Sequence, residues 1–186
     1  RKTAIGRFDL DLDFAKKSAG GTLTTHRTLV DMAHFWIIKD NPLSWFAKGG
    51  LEYDEFKQFD IRMKVNAGFQ KMFFRGEQVK LSWRIGAGVS QELGGVDDQV
   101  TPEADFGMIV SRNISSRQSV QATSDYYPDW SNFSEYRFES KASWKIVIDK
   151  EHGWSLKLSM ADRYDSTPHG RRPNDLTYSL VLVWQL

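Results

Sequence analysis

The 186-residue chain contains no cysteine, which excludes a disulfide framework, thiolate metal ligation and a cysteine nucleophile. It has almost no net charge: 25 basic and 24 acidic residues leave a formal value of +1. That balance gives no electrostatic footprint for nucleic acid, so no nucleic-acid partner is expected. No stretch approaches the roughly 20 consecutive apolar residues of a membrane-spanning helix. No convincing helix, linker, repeat or low-complexity tract is visible either. The histidines are His26, His34, His152 and His169, and none is spaced with a second histidine or a carboxylate pair in a metal-ligand pattern. No metal and no cofactor is therefore expected. Arg1 opens the chain without a signal-peptide pattern, which fits a leader removed on export or none at all.

Two features are abundant. Aromatic residues make up 13%, with seven tryptophans, and apolar and polar residues alternate with period two. In "RFDLDLDF", Phe8, Leu10, Leu12 and Phe14 share one side of an extended chain, and Arg7, Asp9, Asp11 and Asp13 share the other. Such alternation is the signature of a half-buried strand. Ten such runs follow one another, at about 4–17, 22–39, 43–54, 57–73, 78–91, one carrying Ala104 to Val110, then about 117–127, 132–149, 153–165 and a last one ending at Leu186. The second is the least regular, because His34 interrupts Val30, Met32, Trp36 and Ile38. Turn chemistry separates the runs ("SAGG", "KDNP", "FRGEQ", "DKEHG"). Residues 1–186 are thus expected to form one all-β domain, an antiparallel up-and-down barrel of about ten strands.

Alternation alone does not decide whether the apolar face lies inside, as in a lipocalin-like carrier, or outside, against lipid. Three features favour the outside. The polar face carries charges of both signs at nearly every step: Asp9, Asp11, Asp13, Asp60, Arg62, Lys64, Lys80, Arg84, Arg137, Glu139 and Lys141. Glycines at 68, 86, 88 and 107 share that face, where a narrow interior has use for them. The apolar face is aliphatic in its middle and aromatic at its margins. Trp36, Trp45, Phe73, Trp144, Trp154 and Trp184 gather toward one set of turns or the chain end. Phe14, Tyr53, Phe59, Tyr126, Trp130, Tyr136 and Tyr164 gather toward the other. Membrane interfaces select two aromatic girdles around an aliphatic band. Finally, short turns alternate with the longer loops "ELGGVDDQVTP" and "STPHGRRPND", as short periplasmic turns and long external loops do. The sequence thus predicts a transmembrane barrel in a bacterial outer membrane, meeting outer-membrane lipids and lipopolysaccharide.

"LEYDEFKQFDIRMKVNAGFQ", "DYYPDWSNFSEYRFES" and "RYDSTPHGRRPNDLTYSLVLVWQL" resemble, in order and over nearly the whole chain, the family catalogued as domain of unknown function 481. Its members are often labelled salt-induced outer membrane proteins. The chain departs from the family's usual Gly-Asn pair after the first strand, reading "SAGGTLTT", and from a terminal phenylalanine, ending in Leu186. The resemblance implies an outer-membrane barrel of a Gram-negative-type bacterium and supplies no catalytic or ligand residues.

Enzymatic chemistry finds little support. His169, with Asp165 and Asp175 near it in sequence, is the sole candidate base for a rim hydrolase; a solvated loop histidine is the plainer reading. The glycines of "GAGVS" lie within a strand with no helix after them, so they do not form a phosphate-binding loop. Arg171 and Arg172 could meet lipid phosphates or sugars, and the two aspartates of "GGVDDQ" do not complete a calcium shell. The sequence points to a non-enzymatic outer-membrane protein, structural or binding, with an occluded lumen of paired charges. The alternative is a narrow porin-like channel whose selectivity those charges set. A protein partner in a larger membrane assembly would leave no mark in the sequence.

Overall fold

A computed structural model describes residues 4–19, 22–38, 41–55, 60–94, 98–168 and 172–184. Ten strands follow in chain order: β1 (Ala4–Ala19), β2 (Thr22–Ile38), β3 (Leu43–Asp54), β4 (Ile61–Arg75), β5 (Val79–Leu93), β6 (Val100–Ser115), β7 (Gln118–Pro128), β8 (Tyr136–Asp149), β9 (Trp154–Asp165) and β10 (Asn174–Trp184). Each pairs antiparallel with the next, so their order across the sheet is their order in the chain. The described residues contain no helix.

The observed strands match the ten alternating runs, with small shifts at their ends. β8 begins at Tyr136 rather than near residue 132, because "DWSNFSE" turns on its own side chains. The Asp129 carboxylate accepts from the Ser131 amide at 2.6 Å, and Asn132 bonds both Ser134 and Glu135. Residues 57–59, which the alternation places in the fourth run, lie outside the described residues, as do His169, Arg171 and Leu186.

The sheet curls until distant strands touch across its concave side. Lys64 on β4 reaches Glu139 on β8 at 3.2 Å, and Lys141 on β8 reaches Asp11 on β1 at 3.6 Å. The curl makes a half-barrel. Where the sequence predicts a closed barrel, no ladder joins β1 to β10 among the described residues. Side chains bring those edges together instead, for Arg27 on β2 contacts both Asp13 of β1, at 3.7 Å, and Asp175 of β10.

Burial in this sheet is inverted relative to a water-soluble protein. The buried residues are mostly polar or charged, among them Arg62 at 7% exposure and Asp105 at 0%, while Leu12 and Leu180 on the convex face are 67% and 63% exposed. Few large apolar groups lie on the concave side. Phe46, 1% exposed, sits there against paired Gly68 and Gly86. A Cβ on Gly68 would meet the Ile85 carbonyl, and one on Gly86 would come within 2.6 Å of the Ala67 carbonyl and 3.0 Å of the Phe46 ring. Glycine is required here by close approach rather than by a turn.

Candidate functional site on the concave face

The odd-numbered residues of β1 and the even-numbered residues of β4 and β5 project to the concave side, a direct consequence of strand pleating. There they form ion pairs between strands far apart in sequence. Toward the loop end, Arg62 bonds Glu92 through Nε at 2.8 Å, reaches Asp165 at 3.0 Å and lies 3.7 Å from Glu52. Arg137 bonds both oxygens of Glu103, at 2.7 and 2.6 Å, and Glu103 also accepts from the Ser90 hydroxyl at 2.7 Å. Midway, Lys64 Nζ lies 3.2 Å from both Asp31 and Glu139. Lys141 bridges from Asp11 to Asp31 at 3.9 Å.

A third group surrounds Tyr127. Its hydroxyl accepts from Lys48 Nζ at 2.9 Å, and the Arg137 guanidinium lies 5.2 Å from its ring centroid. Arg84 bonds Asp125 and lies over the Phe46 ring at 5.9 Å. Lys48 stands 2.8 Å from the Asp105 carboxylate, which is fully buried. Such desolvated charges persist because each has an opposite neighbour. Between these groups runs a polar cavity of about 500 Å³, lined among others by Asp9, Asp11, Lys48, Lys64, Arg84 and Lys157.

Of the charges the sequence singles out for the interior, Arg62, Lys64, Arg84, Arg137, Glu139 and Lys141 enter these groups, with Asp11 and Asp13 joining through Lys141 and Arg27. Asp9 pairs with its own-strand neighbour Arg7 at 3.0 Å. Asp60 stands exposed just before β4, its amide bonded to the Leu93 carbonyl, and Lys80 stands exposed at the turn end of β5. Neither joins an ion pair among the described residues. Sequence reasoning missed Arg27, Asp31, Lys48, Glu52, Glu92, Asp125 and Tyr127. Asp31 and Lys48 could have been found, since each lies between residues of the alternating face. Phe35 and Phe46, apolar yet concave, hide the pattern of β2 and β3.

The convex face carries the aromatic residues at its margins. Toward the turns, Trp154 stacks on Trp184 at 6.0 Å, Trp45 meets Phe69 at 4.0 Å and Trp36 meets His34 at 4.4 Å. Trp144 lies between Val120 and Leu158 of the flanking strands. Toward the loops, Tyr136 stacks on Tyr164 at 5.5 Å, and Tyr53 meets His26 at 5.6 Å. His34, a polar residue in an apolar register of the second run, thus keeps its alternation and sits among the convex aromatics. His152 belongs to the β8–β9 turn, beyond the apolar band. Its amide, then its ring, hydrogen-bonds Asp149, at 3.1 and 2.8 Å, and together they hold that carboxyl below the ordinary range. Asp165 and Asp175, placed near His169 by sequence, are engaged with Arg62 and Arg27.

An all-β sheet of ten up-and-down strands with an apolar outside and an ion-paired inside defines the class of architecture. The model of the family described as "Protein of unknown function, DUF481" matches residues 1–185, and the chain belongs to that family. Neither the curated proteins nor the solved structures yield a match to the chain.

Proposed function

We propose that the chain is a small bacterial outer-membrane β-barrel, non-enzymatic, with a largely occluded charged lumen and a structural or binding role. The inversion of burial carries this reading: a face on which Phe8, Leu10, Leu12, Tyr178, Leu180 and Leu182 are all more than half exposed is costly in water and at rest in lipid. The dimensions agree. Trp154 and Tyr164 mark the two margins of β9 and lie ten residues apart. That is about 33 Å along the strand and about 25 Å across the band at a tilt of ~40°, the height of the apolar belt in outer-membrane barrels. Exposed Arg172 at the loop end is then placed to meet the phosphates of outer-membrane lipids and lipopolysaccharide.

The narrow-channel reading keeps one specific observation in its favour, the 500 Å³ polar cavity within the network. Single-channel recording in a planar bilayer separates the two. Folded, inserted protein that stays silent at two salt concentrations is the expected result. Stable salt-dependent steps that change in Asp11→Asn or Arg84→Gln would replace the occluded lumen with a channel whose filter is this network.

A further inference from the structure

The convex face is not smooth. On β7 and β8 the directly paired convex residues Ala122 and Ala142 are small. Their register neighbours on β6 and β9, Val110 and Met160, are large, and so is Tyr178 beside Met160 on β10. The next register line toward the turns raises a second wall, Val120, Trp144 and Leu158. Between them lies an open groove of about 430 Å³, within the size range of small-ligand sites.

One end of this groove is charged. Arg112 of β6 lines it and pairs in register with Val79 and Val120, so its side chain belongs to the convex face. It stands on the same register line as Trp144, at the turn-side aromatic margin. Arg112 is exposed and enters no ion pair among the described residues. No acidic residue lines the groove. Asp162, two residues beyond Met160 on β9, occupies the opposite corner, where its carboxylate repels a phosphate. An amphiphile with an anionic head therefore fits in one direction only, its head at Arg112 and its chain over Ala122 and Ala142.

We propose that this groove binds one glycerophospholipid whose phosphodiester charge is not balanced by an ammonium group. The Arg112 guanidinium donates charge-assisted hydrogen bonds to the phosphate at the aromatic, headgroup level. An acyl chain fills the depression over the two alanines, against Trp144, Met160 and Tyr178. A headgroup ammonium would lie beside the guanidinium and weaken the contact, which gives the site its selectivity. The inference rests on the membrane reading and deepens it, from a general lipid-facing surface to one site with a chosen headgroup.

The test uses full-length protein folded into phosphatidylcholine vesicles. A rising small fraction of the lipid is replaced by phosphatidylglycerol, or by phosphatidylcholine, brominated near the headgroup end of the acyl chains. Fluorescence of the parent minus that of Trp144→Phe isolates the tryptophan of the groove. The site predicts half-maximal quenching of Trp144 at a phosphatidylglycerol fraction about tenfold below that for phosphatidylcholine, the gain expected of one charge-assisted contact. Arg112→Gln should bring the two curves together, and Ala142→Phe, which fills the groove, should do the same. Lys71→Gln, a convex cation opposite Leu43 and Trp83 and away from the groove, should match the parent. Circular dichroism confirms the folding of each variant. Coincident curves in the parent, or a preference that survives in Arg112→Gln, overturn the site. Trp144 spared while other tryptophans are quenched also overturns it and shows a groove covered by protein. No quenching of any tryptophan, even in fully brominated vesicles, overturns the membrane reading and the site with it.

Discussion

Individual charges on the concave face have unequal consequences. Arg137 is buried, bonds both Glu103 oxygens and lies over Tyr127. Removing it leaves Glu103, 4% exposed, as an uncompensated buried carboxylate, which costs on the order of 3 kcal/mol or more. Arg137→Met is therefore expected to lower unfolding stability in urea and detergent by about that amount. Adding Glu103→Gln, which removes the stranded charge while keeping a partner for Ser90, should recover more than half. Equal losses in the single and double variants would show that packing of the arginine stem, not the pair, is what matters. By contrast, Arg7 and Asp9 are about half exposed, and solvent screens such pairs to a small contribution.

At the scale of elements, β4 and β5 meet along a line where side chains are excluded. The Gly68–Gly86 pairing lets Phe46 lie flat inside. Gly68→Ala would drive its methyl into the β5 backbone and is predicted to cost roughly 1–3 kcal/mol, the range for overpacking. Gly49→Ala, whose methyl would find its nearest neighbours at 3.8 Å, should leave stability unchanged or slightly improved. Thermal melts of the two variants side by side check this. The strands themselves were legible in the sequence because their convex residues alternate without mercy from water or packing: Phe8, Leu10, Leu12 and Phe14 allow one register only. Which concave residues meet was not legible. Strand pairing offsets each strand against the next, and only the accumulated stagger brings Lys141 to Asp11 or Arg27 to Asp175.

For the whole molecule, the inside–outside assignment follows from which residues tolerate burial. A soluble barrel with the same strands would turn Phe8, Leu10 and Leu12 inward and leave Arg62 and Asp105 to water; the observed sheet does the reverse, with Arg62 and Asp105 buried and Phe8, Leu10 and Leu12 exposed. Quenching of tryptophan fluorescence by brominated lipids tests this most directly. Trp36, Trp45, Trp144, Trp154 and Trp184 lie on the convex face near the turn margin. Protein folded into vesicles should be strongly quenched, more by bromines near the headgroup end of the acyl chains than by bromines at the chain ends. Emission that is the same in brominated and plain vesicles, from protein shown to be folded, would contradict a lipid-facing convex surface.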